Sequence, residues 1–513
     1  MRRFVYQNLS CFMFNNKSKT WVGLFVFILC CGFVFYFMRK PSTPIPNKSE
    51  QELILHQLLP PTTTAFWSLR SISEFEDFYH RIYFDKSPLI STLFDLINNE
   101  ETLPHILISM SEVSDLTDAL FLLPQTRAAT RIMKGLLRDC STAIPPKEFY
   151  YREQKLLIYA LLDGGFLTYG LINGVYVWSC EKHKVEEVID AHLDKQALAQ
   201  TDFNACFTSQ KDSLAHAYLC VTTSSYTMGR KACIDSSLCS NQDWLIFKLY
   251  RESQGLSAEA RLMYETAYSE NQELYSSHLF PAETFAYKRW TTNDLDKAYE
   301  LSLRDTVQTE KESVCNREFY AYLGDILDQG LVNMRVKDTV ISSDLLLSLP
   351  LSDSKAAHKQ LKKLFRTKRR PIRSLLRDEG IYFINDVVIP YPAPLFLNLL
   401  ADVSRDKRVI YLHYLKDRLL LSWNEDLLNR YLEQLTEKKT ANNYLEAYHL
   451  QDEQAYLSFV ADLGEVANDI RRPYTDLPTF LLQSIDQFTD YFLSKTYSQH
   501  EGYTLVKVKL LKR

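Results

Sequence analysis

FLTYGLINGVYVWS, residues 166–179, is two apolar runs separated by Asn173-Gly174. A two-residue Asn-Gly loop takes positive φ at both positions and matches the twist of an antiparallel pair, so the stretch predicts a β-hairpin ending on Ser179. Val185, Val188, Ile189 and His192 follow at helical spacing, which predicts a helix capped by that serine.

The same plan returns 243 residues later. Residues 409–415 run through Lys416-Asp417 into Arg418 to Ser422, after which Leu428, Tyr431, Leu432 and Leu435 share a helical face. Ser422 and Glu425 have the spacing of a capping box. Upstream, Ala65-Phe66-Trp67-Ser68-Leu69 follows Leu59-Pro60-Pro61 and precedes a helical pattern of Phe75, Phe78 and Tyr79. It is answered 221 residues on by Thr284-Phe285-Ala286-Tyr287, after Phe280-Pro281 and before Leu295, Ala298 and Tyr299. Downstream, HAYLCV at 216–221 falls opposite QAYLSF at 454–459. Each copy then closes on another hairpin, 244–250 with 258–264 and 488–493 with 503–511. Four features in one order predict two tandem related domains, 55–270 and 276–513, of fold class α+β: antiparallel sheet with helices packed on one face.

Before the body stands WVGLFVFILCCGFVFYFM, residues 21–38, uncharged, with Lys19 ahead of it and Arg39-Lys40 behind. As a helix it is about 27 Å long, close to the hydrocarbon thickness of a bilayer. It predicts a retained transmembrane helix, because Met38-Arg39-Lys40-Pro41 offers no small-residue cleavage site. Residues 1–20 form the tail. Residues 39–54, with three prolines at 41–46, read as an extended stem. Arg2, Arg3, Lys17 and Lys19 against Arg39, Lys40 and Lys48 favour a cytoplasmic N-terminus, with the body periplasmic, luminal or extracellular.

The charge is −4 overall, but residues 1–40 hold six basic residues and no acid, so the remainder carries −10. Ten cysteines are present, seven of them past residue 40 and none after Cys315. That distribution is not a disulfide framework and predicts mostly free thiols. Leu59-Pro60, Ala65-Phe66 and Val177-Trp178-Ser179 resemble an uncharacterised bacterial family of single-pass, envelope-facing proteins with a duplicated α/β domain. The resemblance implies an envelope location and brings no catalytic residues with it.

Residues 355–377, KAAHKQLKKLFRTKRRPIRSLLR, hold ten Lys and Arg and no acid. Ala357, Leu361, Leu364 and Phe365 lie along one helical face with lysines around the rest, and Pro371 interrupts the run. The stretch reads as a basic insertion into the second copy. Lys359, Lys362, Lys363, Arg366, Lys368, Arg369 and Arg370 are the candidate contact cluster for an anionic lipid, an acidic polymer or an acidic protein face. A solvated helix paired with its own acidic domain is the plainer reading. Nucleic acid is not expected on the far side of a membrane.

Asp294-Leu295-Asp296 has the D-x-D spacing of anchored glycosyltransferases, yet both acids fall where a helix should begin, where capping and the helix dipole favour them. No serine-hydrolase elbow, zinc-binding His pair, C-x-x-C or glycine-rich phosphate loop occurs. No cofactor or metal is expected. The reading is a non-enzymatic, membrane-anchored binding or scaffolding protein. The alternatives are a transferase using Asp294 and Asp296, and a carrier of an apolar ligand under a curved sheet.

Overall fold

The computed structural model describes residues 54–70, 88–100, 105–110, 118–222, 244–262, 280–290, 331–353, 355–359, 372–374, 382–385, 409–422, 424–441, 455–469 and 484–513, apart from one or two positions inside some of these, and the single residues 78, 81, 116, 477 and 481. The expected tail, the span at 21–38 and nearly all of the stem lie outside the described residues. Among those described, no helix is long and apolar enough to cross a membrane. Leu53–Arg513 form one compact unit, and both expected domain ranges fall within it.

Among the described residues, ten strands make the first half: β1 (Ala65–Leu69), β2 (Ile106–Met110), β3 (Leu120–Pro124), β4 (Lys147–Tyr151), β5 (Gln154–Ala160), β6 (Phe166–Ile172), β7 (Val175–Ser179), β8 (Ala217–Thr222), β9 (Trp244–Glu252) and β10 (Gly255–Leu262). Every pairing is antiparallel, in the order β4-β5-β6-β7-β3-β2-β1-β8-β9-β10. β1, β2, β3 and β7 are buried at every position. Strands with no polar alternation need cover on both faces. Ala65, Trp67 and Leu69 pack under α1 (Pro88–Asn98) and α2 (Arg127–Cys140). Phe66, Leu107 and Val177 pack on the opposite side, under α3 (Lys182–Leu193) and α4 (Asp202–Gln210). The expectation of helices on one face is therefore corrected: the runs AFWSL, ILISM, LFLLP and VYVWS require a layer on each.

The second half contains β11 (Phe280–Pro281), β12 (Thr284–Trp290), β13 (Leu331–Thr339), β14 (Ser342–Pro350), β15 (Ile372–Ser374), β16 (Tyr382–Asn385), β17 (Val409–Tyr414), β18 (Arg418–Ser422), β19 (Thr440–Ala441), β20 (Ala455–Asp462), β21 (Tyr491–His500) and β22 (Tyr503–Lys512). β11 and β19 pair apart from the main sheet. The other ten run β15-β16-β17-β18-β14-β13-β12-β20-β21-β22, again antiparallel throughout. Element for element this is the order of the first half, and β10 pairs with β22 to make one continuous sheet. One core cluster runs beneath both halves on the α1/α2 side, where α6 (Leu463–Asn468) also packs. The other side has two separate clusters, one per half, the second beneath α5 (Glu425–Glu437).

Local details match as well. Asn173 and Gly174 have φ of 47° and 75°, as an Asn-Gly hairpin loop requires. Ser179 Oγ accepts from Glu181 N at 3.0 Å, and Ser422 Oγ accepts from Asn424 N at 3.1 Å. The serines thus form short turns ahead of the helices, and the expected capping of α3 by Ser179 is corrected: its N-cap is Glu181, with no side-chain cap bond. The expected Ser422 to Glu425 capping box is replaced by Asn424, whose Oδ1 accepts from Leu427 N at 3.2 Å.

Register also places the extra length of the second half. β3 and β4 are joined by residues 125–146, and β14 and β15 by the similar span 351–371, whereas β5 and β6 are joined by 161–165 and β16 and β17 by 386–408. The addition falls at 386–408, so the basic stretch at 355–377 is not an insertion but occupies the place of α2 and β4. At the junction, Glu259 faces Lys507, with Nζ to Oε1 at 3.8 Å. Counted from the two-residue connections before β10 and β22, these are the same position of each half. The halves therefore meet as an isologous pair would.

Candidate functional site

Asp353 Oδ1 accepts from Lys355 N and Ala356 N at 2.9 and 3.0 Å, an N-terminal cap for the helical residues 355–357 and 359. Ala357 is fully buried in the shared core, while Lys355 and Lys359 are exposed. This helix spends its apolar side on the sheet and turns its charge to solvent. Lys362, Lys363, Arg366, Lys368, Arg369 and Arg370 lie outside the described residues, as do Asp294 and Asp296.

A second basic face was not singled out by the sequence reading. α2 begins at Thr126, whose hydroxyl accepts from Ala129 N at 3.0 Å. Ala129, Ile132, Met133 and Leu136 pack inward. Gly135 lets Leu96 approach, since a Cβ there would lie 2.8 Å from Leu96 Cδ2. Arg127, Arg131, Lys134 and Arg138 occupy the outer side, all exposed. Arg131 Nε donates to Glu100 Oε1 at 2.8 Å and holds that carboxyl below its ordinary range. Arg138 forks onto Asp139 at 2.6 and 2.8 Å. Arg127 and Lys134 have no carboxylate partner among the described residues. The spacing RxxxRxxKxxxR was the legible signal, hidden because Asp139 and the shorter charge run make it less conspicuous than 355–377.

Polar chemistry in the first half is enclosed. Ser68 Oγ and His105 Nε2 are 2.8 Å apart, but both side chains are buried, at 0% and 4% exposure. A hydroxyl beside an imidazole has the ingredients of an activated nucleophile. Here the pair satisfies two buried polar groups within the sheet. Nearby, Arg70 Nη1 donates to Asp212 O at 2.7 Å and lies over the Tyr218 ring at 4.9 Å. Tyr218 Oη donates to the same carbonyl at 2.6 Å, and Tyr250 Oη donates to Asp212 Oδ2 at 2.9 Å. The Leu214 N–H, the Tyr250 hydroxyl and the Lys248 and Arg70 charges hold the Asp212 carboxyl below its usual value. The network fastens the 211–216 loop to β8 and β9.

The outer arm of the first half has another character. Ile144, Tyr150, Leu162, Phe166 and Leu171 are all exposed, and Tyr169, half-buried beside Tyr159 and Tyr176, is pushed up to about 12 by burial. Cys140, Cys180, Cys206 and Cys220 stand outside any disulfide; Cys233, Cys239 and Cys315 lie outside the described residues. Among the described residues no group of three His, Cys, Asp or Glu is placed to hold a metal ion. The chain matches no family model, no curated protein and no solved structure.

Proposed function

We propose that this chain is a membrane-tethered binding or scaffolding protein of the cell envelope. Residues 21–38 anchor it, the N-terminus is cytoplasmic, and the body is extracytoplasmic, built from two related units fused as an internal dimer. The matching strand order and the self-paired junction support the fused-dimer part of this reading. The contact surface is the basic segment from Lys359 to Arg370.

The observation that carries the functional part is the seating of the helix at Lys355. Ala357 occupies the core while Lys355 and Lys359 are left outside it. A helix fixed to the body by its small apolar side holds its cations at a set height, which suits recognition of an anionic surface. Charge reversal of Lys359, Lys362, Lys363 and Arg366 in the full chain, housed in neutral nanodiscs, should abolish both co-sedimentation with anionic liposomes and retention of any protein partner. Undiminished binding in both assays would remove the proposal.

A further inference from the structure

Strand register fixes which residues of the two halves correspond near the seam. Lys248 faces Glu259 across one hairpin as Thr496 faces Lys507 across the other. The next strand places Tyr218 beside Lys248 and Ser458 beside Thr496, and the one after it Ser68 beside Tyr218 and Arg289 beside Ser458. Followed on through β2 and β3 or β13 and β14, the same frame arrives at Val177 and Leu420, each two residues before its serine, Ser179 or Ser422. The correspondence therefore holds across the sheet without a slip.

Within that frame the halves part company on the face away from the shared core. Where the first half has Tyr218, Ile246, Lys248 and Tyr250, the second has Ser458, Ser494, Thr496 and Ser498. Four large side chains give way to four small hydroxylated ones, and Ser68 gives way to Arg289. All five replacements are more than nine-tenths buried. Arg289 Nη2 donates to Ala455 O at 3.1 Å, which fixes the guanidinium at the end of the row. Ser458 Oγ, in a residue 1% exposed, has no hydrogen-bond partner among the described residues. Such a buried hydroxyl is costly unless something outside the fold meets it. In the first half the long side chains reach an acid of the chain itself: Tyr250 Oη donates to Asp212 Oδ2 at 2.9 Å and Tyr218 Oη to Asp212 O at 2.6 Å. Serine and threonine in their places are too short for such a reach.

We infer that Arg289, Ser458, Ser494 and Thr496 form a binding site for a phosphoryl group, carried by the second half alone. A buried guanidinium selects for an anion and suits the fork geometry of phosphate. Three hydroxyls beside it call for a ligand with several acceptor oxygens, which a phosphoryl group has and a planar carboxylate has fewer of. Thr496 pairs with Lys507 and Ser494 with Lys509 on the neighbouring strand, so two further cations border the cluster on the seam side. Lys507 is 37% exposed, which puts solvent at that edge and gives a ligand its approach. The site is separate from the basic segment at 355–377 and stands or falls without it.

The test uses the full chain in maltoside micelles, which contain no phosphate, titrated with inorganic phosphate in a calorimeter. A single saturable site and a melting temperature that rises with phosphate are expected. Ser458→Ala deletes a hydroxyl with no partner among the described residues, so without phosphate its melting temperature should be unchanged or higher, while phosphate should bind about tenfold more weakly. Ser458→Tyr, which installs the side chain of the first half, should abolish binding; if it does not fold, Thr496→Val serves instead, with a loss of about tenfold. Absence of both heat and melting shift would overturn the proposal, and so would saturable binding that Ser458→Ala and Thr496→Val leave unchanged. Glycerol 3-phosphate and a short-chain phosphatidic acid separate the sources of the group. Equal affinities uphold a site for the phosphoryl group alone, and tighter binding of the phosphatidic acid upholds one for a lipid phosphate.

Discussion

Arg152 and Glu153 close the β4–β5 hairpin with φ of 45° and 69°, a conformation that side chains other than Gly, Asn and Asp adopt at a cost. Arg152 has compensation: its guanidinium bridges Asp190 and Asp194 of α3 at 2.9 and 2.7 Å, and holds the Asp194 carboxyl below its ordinary range. Glu153 has no comparable contact among the described residues. Glu153→Gly should therefore stabilise the body by about 0.5–1 kcal/mol in urea unfolding, and a loss of stability would show that the side chain is needed. Asp212 permits a signed prediction. Its folded pKa is lowered, so its contribution is present above the ordinary carboxylate value near pH 4 and is lost as pH falls below it. Asp212→Asn should lower stability at neutral pH by roughly 1–2 kcal/mol and flatten the acid limb of a stability profile against pH. Little of this was legible. Ser68 and His105 are 37 residues apart and Arg70 and Asp212 are 142 apart, and no local pattern announces contacts that only strand pairing creates.

At the scale of elements the sequence was more informative, and its errors were systematic. The Asn173-Gly174 loop, the serines ending β7 and β18, and the strand beginning at Ala65 were legible because turn chemistry and apolar runs are local. The match of β8 to β20 was placed two residues out: Ala217 pairs with Leu249 and its counterpart is Leu457, paired with Tyr497, rather than Ala455. A slip of two leaves every side chain on its own face, so hydrophobic pattern alone is blind to it. The equivalence of α2 and the helix at 355 escaped notice because the insertion at 386–408 was assigned to the wrong connection. Register makes the junction testable. Glu259→Lys would set two lysines opposite one another across β10 and β22, costing about 0.5–1 kcal/mol. Lys507→Glu should cost a similar amount by opposing two carboxylates. The double exchange should recover most of the loss in a double-mutant cycle, and additive losses would mean that these positions do not face each other in solution.

For the whole molecule, two halves with one strand order could be two bodies on a tether or one body with an internal seam, and the core decides between these. The cluster on the α1/α2 side includes Trp67 and Leu93 from one half and Phe285, Leu347 and Phe488 from the other. Arg81, between β1 and β2, forks onto Asp490 at 3.0 and 3.2 Å and lies 5.0 Å over the Tyr491 ring, while Phe78 meets Phe488 at 6.0 Å. Neither half can open along the seam without exposing apolar surface of the other, which couples their unfolding. Gly255 sits in that seam, where an added Cβ would fall 2.0 Å from the Leu510 carbonyl oxygen. Backbone rather than a flexible side chain blocks it, so the strands themselves must part. Gly255→Val should cost roughly 3 kcal/mol, lower the melting temperature by several degrees, and still give a single calorimetric transition with equal calorimetric and van't Hoff enthalpies. Two resolved transitions, in the variant or in the unaltered chain, would mean that the shared core does not bind the halves into one cooperative body.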